Sequence, residues 1–509
     1  MTSLNKSSSK HFLLLVAGVL AISLTLNLVG VNFGQPGLQS WTSNSIQLER
    51  VSKYGLEVEQ HYGPLCYWIA SVPCRIADAF AGGEDPTGWR WIIAQRVFNS
   101  LLCSACVLIV IVLTCITHGR PLALRAGFIC ACSPALIFWA KTESVNPQAA
   151  FWAMLFILAG TLFVKYVFRY TVLWLLAGIF AGLMIGTKET LLGGLVILPI
   201  IAAFYMLRQQ APRPNGKRLL LVQSVLFEAV AVIIYLSISL TNKSLFITRL
   251  LRYTDKNTQQ ITAGSLVYIL VAGLARLVVT FISVVFVSLQ ILSFFPLSIL
   301  LAAVGFCRNL SKSSLLNYIP LILALGLCWL STYAMFWRPV ATQDALPLAL
   351  MFSPFVALGI QGLENWNGIS RFVRYSAVTI IYMLIFAFGL AVDLNQIYNA
   401  HYGLLEIAEE NSEPHTVLFY SLREYDTLAL PQGWTYVDVP PGDPLIDDAL
   451  KIPADADRAV TYLDDIESQH TLERAGWRSV QAIENPLIGS FAYPGYNTSF
   501  RLFERICGQ

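Results

Sequence analysis

The sequence is poor in charge and lacks the short motifs of soluble enzymes. Only 13% of its 509 residues are charged and 56% are hydrophobic, and its mean hydropathy is +0.60. A soluble globular protein of this length is not expected to be so apolar. The sequence has no P-loop, no G-x-G-x-x-G after a strand, no H-E-x-x-H and no Cys/His set at zinc spacing. We therefore expect no metal site, no cofactor and no nucleic-acid partner.

Long apolar runs predict a polytopic α-helical membrane protein. Runs of about 17–25 residues with almost no charge are typical of membrane-spanning helices, and the sequence offers about eleven of them. The first, at 12–31, lacks a small-residue cleavage site, so we interpret it as an uncleaved signal-anchor. The run at 264–306 is too long for one span. There we predict an interfacial or re-entrant helix near 265–281, followed by a single span at 283–306.

Charge divides the chain into a basic membrane body and an acidic tail. Residues 394–509 hold 7 of the 34 Lys and Arg but 18 of the 31 Asp and Glu. Basic residues recur in alternate loops, which the positive-inside rule places in the cytoplasm together with the N-terminus. Eleven spans then leave the tail outside. We predict a membrane domain at 1–393, with large outer loops at 32–93 and 241–282 that contain amphipathic patterns, and an extracytoplasmic α/β domain at 394–509.

The tail has the alternating pattern of a small α/β unit. Strands are predicted at 415–422 and 434–439, a helix at 464–476 that ends at Gly476, and closing strands at 478–483 and 499–506. Asp455-Ala456-Asp457 has the form of a metal-holding Asp-x-Asp motif. Because it follows Pro453 in an acidic segment, we interpret it as a solvated turn.

Several motifs follow one another in the order and spacing of a known class of enzyme. They are "HYGPLCYWIASVP" (61–73), "RVFNSLL" (96–102), "SPALIFWAKTESVNPQAAFW" (133–152), "LAGIFAGLMIGTKETLLGGLVILP" (176–199) and "DALPLALMFSPFVAL" (344–358). This series resembles the GT-C class of membrane glycosyltransferases, and within it the protein O-mannosyltransferases and lipid A aminoarabinose transferases. The most specific match is the Gly-rich helix that ends in Gly-Thr-Lys.

The resemblance implies a sugar donor carried on a polyprenyl phosphate and a site at the outer face of the membrane. Such chemistry needs a carboxylate to take the proton of the acceptor hydroxyl. It also needs Lys or Arg to stabilise the charge of the leaving phosphate. Lys188, in the matched Gly-Thr-Lys motif, and Arg338, near the outer end of its span, are candidates for the phosphate contact. For Lys188 the alternative is a lysine that extends to the membrane interface.

The sequence departs from this class where its acidic residues are expected. Ser43-Asn44-Ser45 stands where the class places an acid before its first outer helix, and Gln148 stands where a second acid opens a span. An amide keeps the hydrogen bonds of an acid but cannot act as a general base. Nearby groups remain as candidates for the catalytic or substrate-binding roles. The catalytic set is Glu49, Glu59, Glu143 and Asn44, and the substrate-binding set is His61, Tyr62, Lys141, Gln148, Lys188 and Arg338.

Two interpretations of function remain open. In the first, the protein is a membrane glycosyltransferase that transfers a sugar from a polyprenyl-phosphate carrier to a protein, lipid or glycan acceptor on the outer face. In the second, it is a catalytically inactive GT-C-like subunit that binds a lipid-linked sugar or docks to a larger membrane complex. A transporter is disfavoured because the sequence shows no paired interrupted spans in two matching halves. The expected location is a bacterial inner membrane, with the tail in the periplasm, rather than the endoplasmic reticulum.

Overall fold

A computed structural model of the protein describes seventeen segments of the chain. They are 2–31, 64–82, 89–142, 144–166, 171–188, 191, 193–208, 216–240, 266–294, 296–310, 315–334, 344–368, 370–397, 413–421, 433–439, 456–484 and 499–506. These residues form two compact units. One contains nearly all the long helices, and the other contains a β-sheet from the C-terminal part of the chain.

Helices make up almost all of the described residues before position 398. They are α1 (Thr2–Leu28), α2 (Pro64–Ala81), α3 (Trp89–His118), α4 (Arg120–Ala131), α5 (Pro134–Ala140), α6 (Asn146–Lys165), α7 (Thr171–Thr187), α8 (Gly193–Arg208), α9 (Gly216–Ser239), α10 (Leu266–Leu292), α11 (Leu297–Leu310), α12 (Ile319–Ala334), α13 (Leu346–Glu364) and α14 (Arg371–Ile397). A short 3-10 turn, Leu315–Tyr318, leads into α12.

Many of these helices have the length and composition of membrane spans. Within the described part of the chain, seven are long and apolar enough to cross a membrane. The pair α4 and α5 forms one more candidate, bent by 54°. The helices α7, α8, α11 and α12 contain shorter apolar segments. The chain is a polytopic helical membrane protein, and the count of about eleven spans stays a prediction.

The long apolar stretch at 264–306 differs from the prediction. Helix α10 runs without interruption from Leu266 to Leu292, so no helix boundary lies near residue 282. Residues 266–282, predicted as a separate interfacial or re-entrant helix in the outer loop, are helical but belong to the same helix as residues 283–292. The break comes before Pro296, whose ring nitrogen cannot donate the hydrogen bond that would continue the helix. The next helix then begins at Leu297.

The Gly-rich helix α7 lies close to α9 because its glycines share one face. A Cβ atom built on Gly178 would lie 2.9 Å from the carbonyl oxygen of Phe227, and one on Gly182 would lie 2.8 Å from that of Ala231. Small residues at intervals of four let two membrane helices approach closely. This contact fixes the position of α7 and of the residue that follows its last turn, Lys188.

A second close contact joins α11 and α13. A Cβ atom on Gly305 would meet the carbonyl oxygen of Phe355 at 1.9 Å, and one on Gly359 would meet that of Leu301 at 2.1 Å. No side chain fits at either position. The contact of α13 with the backbone of α11 therefore fixes the position of α13 as a whole, including its first turn.

The C-terminal unit contains a five-stranded mixed sheet. Its strands are β1 (Thr416–Tyr420), β2 (Thr435–Val439), β3 (Arg458–Tyr462), β4 (Trp477–Ile483) and β5 (Phe500–Arg505), in the order β2-β1-β3-β5-β4. The pairs β1–β2 and β1–β3 are parallel, and β5 is antiparallel to β3 and β4. Both faces of the sheet bury apolar side chains. The helix α15 (Ile466–Arg474) lies between β3 and β4 in sequence.

Most of the predicted tail elements are confirmed, and one strand was missed. The predicted segments at 415–422, 434–439, 464–476 and 499–506 contain β1, β2, α15 and β5, and the segment at 478–483 covers β4 except for its first residue, Trp477. The missed strand, β3, follows the Asp-x-Asp segment. Asp457 accepts a hydrogen bond from the backbone N–H of Thr416 at 3.0 Å and pairs with His415. It therefore joins β3 to the start of β1 rather than marking a free turn.

Candidate functional site

Three helix ends meet around the side chain of Lys188. Its Nζ atom lies 2.6 Å from Oδ1 of Asp344 and donates a hydrogen bond of 2.9 Å to Oδ1 of Asn146. Lys188 follows the last residue of α7, Asn146 is the first residue of α6, and Asp344 lies two residues before α13. We call this place the three-helix junction and define it by Lys188, Asp344 and Asn146.

The charges at the three-helix junction suit the helix ends on which they lie. A helix C-terminus carries partial negative charge and favours a cation, and a helix N-terminus favours an anion. Lys188 and Asp344 satisfy these two preferences. Their side chains are 4% and 17% exposed, so the ion pair is largely withdrawn from water. Such a pair is stable only when its remaining hydrogen bonds are made, and Asn146 supplies one of them.

Two helices, α6 and α13, begin beside the three-helix junction without a side-chain cap. The residues before the first turns of α6 and α13 are Val145 and Ala345, and neither makes a side-chain capping hydrogen bond. Both helices have a proline in the first two positions, Pro147 and Pro347. The two prolines have no N–H, and the N–H of Asn146 donates to the Ser144 hydroxyl. What the two helix ends offer an anion is therefore chiefly the partial positive charge of a helix N-terminus.

The described residues of the loop before α6 are buried, and Asn99 on α3 holds the loop in place. Asn99 donates from Nδ2 to the carbonyl oxygens of Thr142 at 2.8 Å and Ser144 at 2.9 Å. Ser144 in turn accepts a hydrogen bond of 3.2 Å from the backbone N–H of Asn146. Lys141, which begins this loop, is fully buried. Burial, and next the neighbouring Arg96, lower the pKa of Lys141 to about 7.

Gln148 is buried in the first turn of α6 with both polar atoms unused. The side chain is 1% exposed, and neither Oε1 nor Nε2 has a hydrogen-bond partner. One turn further along α6, the indole Nε1 of Trp152 is also buried without a partner. Residues four apart are neighbours on a helix surface. The first two turns of α6 therefore carry a small set of unused donors and one unused acceptor.

The structure describes three of the ten residues singled out from the sequence. Lys188 lies at the three-helix junction, Gln148 lies in the helical turn that begins there, and Lys141 begins the loop that leads to it. The other seven lie outside the described residues: Glu49, Glu59, Glu143, Asn44, His61, Tyr62 and Arg338. Their roles stay predictions.

Sequence reasoning missed Asp344 and Asn146 as site residues. The sequence did contain a signal for Asp344, because an acidic residue beside an apolar span needs a charged or hydrogen-bonding partner and is often functional. The identity of that partner was not readable, because Lys188 and Asp344 are far apart in sequence. Among the described residues, no group of three His, Cys, Asp or Glu side chains is placed to hold a metal ion.

Comparison with solved structures identifies the fold. The oligosaccharyltransferase AglB of Archaeoglobus fulgidus, solved with an inhibitory peptide and a dolichol-phosphate, matches with a TM-score of 0.52 and 14% identity over 90% of this chain and 70% of its own. ArnT of Cupriavidus metallidurans in the apo state matches with a TM-score of 0.50 and 13% identity, over 97% of this chain and 98% of its own.

The same enzyme bound to undecaprenyl phosphate matches with a TM-score of 0.50 and 12% identity, over 96% of this chain and 97% of its own. No family profile and no curated protein sequence matches the chain. At these identities the likeness establishes the fold, and it agrees with the resemblance read from the motifs. The chain is an integral membrane protein with the fold of the GT-C class of membrane glycosyltransferases.

Proposed function

We propose that the protein is a membrane glycosyltransferase that takes a sugar from a polyprenyl-phosphate carrier and transfers it to an acceptor at the extracytoplasmic face. The likeness to ArnT extends over nearly the whole of both chains, and that enzyme has been solved with undecaprenyl phosphate. The single observation that carries the proposal is the buried Lys188 at the meeting point of three helix ends.

The three-helix junction has the chemistry of a site for the carrier's phosphate. Lys188 supplies a positive charge, and a lysine ammonium has three donors, of which the contacts to Asp344 and Asn146 use two. The N-terminal ends of α6 and α13 add partial positive charge. We assign the phosphate to the space that these groups share, because each of them favours an anion.

The three-helix junction also contains a carboxylate, Asp344, which the resemblance to the class did not predict as a site residue. We propose Asp344 as a base for the acceptor, beside the sequence candidates Glu49, Glu59 and Glu143. Asp344 takes the proton of the acceptor hydroxyl while that oxygen bonds to the anomeric carbon. The bond between this carbon and the phosphate oxygen breaks, and its electron pair leaves with the phosphate. Lys188 stabilises the charge that the phosphate gains.

The remaining parts of the proposal follow the sequence. His61, Tyr62, Lys141, Gln148 and Arg338 are assigned to the donor and acceptor. The acceptor is a protein, lipid or glycan. The membrane domain spans 1–393 and the tail, 394–509, lies in the periplasm of a bacterial cell. The donor is a substrate, so the reaction needs no separate cofactor.

A second function is favoured by the same ion pair. Lys188 already binds Asp344 and Asn146, and its side chain is only 4% exposed. A buried ion pair can have a purely structural role, which is to hold helices together. In that case the protein is an inactive GT-C-like subunit that binds a lipid-linked sugar or docks to a larger membrane complex.

Binding of undecaprenyl phosphate to the purified protein tests the proposal. We expect it to bind more tightly than undecaprenol, which has the same chain without phosphate. Lys188→Met combined with Asp344→Leu removes both charges without leaving one of them buried alone. This variant should bind the phosphate roughly 10- to 100-fold more weakly, the worth of a charge-assisted hydrogen bond.

The matched control is Lys165→Met, which removes a lysine at the opposite end of α6. It should leave the affinity for undecaprenyl phosphate unchanged. Unchanged affinity in a folded Lys188→Met, Asp344→Leu variant would overturn the phosphate site and favour the structural role of the pair.

A further inference from the structure

Gln148 and Trp152 form an unsatisfied polar pair inside the bundle. In Gln148 the amide oxygen and amide nitrogen both lack a hydrogen-bond partner, and in Trp152 the indole N–H lacks one. The Gln148 side chain is 1% exposed. Trp152 packs against the apolar cluster around Ala149, Ala153 and Met184. We call Gln148 and Trp152 the α6 polar pair.

Burial of polar atoms without hydrogen-bond partners is unfavourable, so a bound molecule that supplies these hydrogen bonds would stabilise the protein. A buried amide that makes no hydrogen bond has lost its contacts with water and gained nothing in return. Most buried polar side chains in proteins are paired, and each exception needs a physical explanation. The explanations are a ligand with matching groups or an ordered water molecule.

The donors and acceptor of the α6 polar pair define the ligand chemistry. An amide offers two N–H donors and an acceptor oxygen, and an indole offers one donor. All are uncharged. A hydroxyl donates one hydrogen bond and accepts two, so neighbouring hydroxyls of a sugar ring match this set. A phosphate has no donor for the amide oxygen when fully ionised.

We infer that the α6 polar pair binds the hydroxyls of a neutral monosaccharide at the end of the bundle where Lys188 lies. Gln148 is two residues from Asn146, the hydrogen-bond partner of Lys188. A sugar attached to a phosphate at the three-helix junction therefore reaches the first turn of α6. This inference rests on the proposed function and adds the substrate class to it.

The absence of charge on the pair selects between kinds of sugar. An amino sugar carries an ammonium group, whose burial requires an anion beside it. Gln148 and Trp152 are uncharged, and the carboxylate of Asp344 is already paired with Lys188. The pair therefore favours a neutral hexose or pentose over an amino sugar.

The test compares two lipids on the purified full-length protein. One is undecaprenyl phosphate and the other is undecaprenyl-phospho-glucose, a neutral sugar on the same carrier. The ratio of their dissociation constants isolates the contribution of the sugar. We expect the glucosylated lipid to bind more tightly by roughly tenfold, as two or three neutral hydrogen bonds provide. Undecaprenyl-phospho-aminoarabinose should show no such gain.

Two variants assign this gain to the α6 polar pair. Gln148→Met keeps the length of the side chain and should remove most of the gain. Trp152→Phe removes only the N–H and should reduce the gain roughly threefold to fivefold. Neither variant should change the affinity for undecaprenyl phosphate. Gln148→Met should also raise the melting temperature of the ligand-free protein, since it removes two unpaired polar atoms.

Two controls separate a ligand site from ordinary buried polar groups. Gln223→Met changes a buried glutamine on α9, and Trp174→Phe removes another unpaired buried indole N–H. Trp174 lies fourteen residues before Lys188 along α7, about 21 Å at the rise of a helix. Both controls should leave the affinity ratio unchanged.

The outcomes distinguish the inference from the function on which it rests. If neither lipid binds, the proposed function fails. If both bind equally, or Gln148→Met keeps the full gain, the inference fails. If free methyl glucoside instead binds to the protein that already holds undecaprenyl phosphate, and Gln148→Met abolishes that binding, the pair belongs to the site of the acceptor sugar. The inferred site for a neutral sugar would then stand, but its assignment to the donor would be overturned.

Discussion

Lys188 and Asp344 form a buried ion pair that joins the end of α7 to the start of α13, with 2.6 Å between Nζ and Oδ1. Both residues lie in stretches that match the GT-C class, Lys188 in 176–199 and Asp344 at the start of 344–358. Asn146 extends the contact to α6. This cluster joins the ends of three helices, two of which are also placed by the glycine contacts of α7 with α9 and of α13 with α11.

Breaking the pair on one side should destabilise the protein strongly. Asp344→Leu or Lys188→Met alone leaves an uncompensated buried charge, which costs about 3–5 kcal/mol. The double variant leaves none, so its loss should be well below the sum of the two single losses. Thermal unfolding in detergent measures all three. Additive losses would show that the two side chains do not act as a pair.

The contact between α11 and α13 should not tolerate a methyl group. Gly305→Ala and Gly359→Ala each place a Cβ atom about 2 Å from a carbonyl oxygen, so the two helices must separate. We expect each to cost about 1–3 kcal/mol of stability in the same assay. Gly18→Ala on α1 is the control, since nothing lies within 4 Å of its Cβ position. A wild-type melting temperature for Gly359→Ala would contradict the close approach.

The lowered pKa of Lys141 leads to a prediction of how the stability of the protein changes with pH. Its pKa falls on folding from 10.5 to about 7, chiefly through burial. Between these values the unfolded chain binds the proton and the folded protein does not. Stability due to this group therefore rises with pH across that window, by up to about 1.4 kcal/mol per pH unit. The same contribution to stability is lost as pH falls from the unfolded-state pKa toward 7, and it is lowest below pH 7.

The slope assigns this behaviour to one side chain. Melting temperatures between pH 7 and 9 should rise less steeply in Lys141→Met than in the wild type. Lys10→Met, which changes an exposed lysine on α1, should keep the wild-type slope. Parallel curves for Lys141→Met and the wild type would contradict a buried, neutral Lys141.

In the C-terminal unit, Asp465 should stabilise α15 as its N-cap. Its carboxylate accepts hydrogen bonds from the backbone N–H of Ser468 at 3.1 Å and from its hydroxyl at 2.7 Å. Asp465→Ala should cost about 1 kcal/mol. Hydrogen exchange of the α15 amides measures the loss, and Asp464→Ala, an exposed neighbour, should leave exchange unchanged. Equal exchange in both variants would rule out the cap.

The sequence predicted the fold class better than it predicted the site. Hydropathy and charge were enough for a helical membrane body, and alternation was enough for four of the five strands. The boundary at residue 282 was wrong because a uniformly apolar stretch contains no local signal apart from Pro296, where the break occurs. Strand β3 was missed because its five residues follow an acidic segment that was interpreted as a turn.

At the site, Lys188 was predicted from the local Gly-Thr-Lys motif. Gln148 was predicted from its place in the series of motifs that resembles the GT-C class. In the sequence, Asp344 stood out only as the first residue of the matched stretch 344–358. Its importance comes from a contact with a residue far away in sequence, and such pairing is set by the packing of helices. The unused atoms of Gln148 and Trp152 are also a property of packing, which no sequence pattern reports.

The most direct test of the central claim is release of undecaprenyl phosphate from radiolabelled undecaprenyl-phospho-glucose by the purified protein, with a membrane extract as the source of acceptor. The wild type should release the carrier and label the acceptor. Asp344→Asn should lower the rate at least about 100-fold, the usual contribution of a general base, and Asp344→Glu should restore part of it. Glu49→Gln, Glu59→Gln and Glu143→Gln in parallel test the sequence candidates, and Asn44→Asp tests a lost acid. A folded wild type that binds the donor but never transfers the sugar would contradict the proposed transferase and establish a binding or assembly subunit.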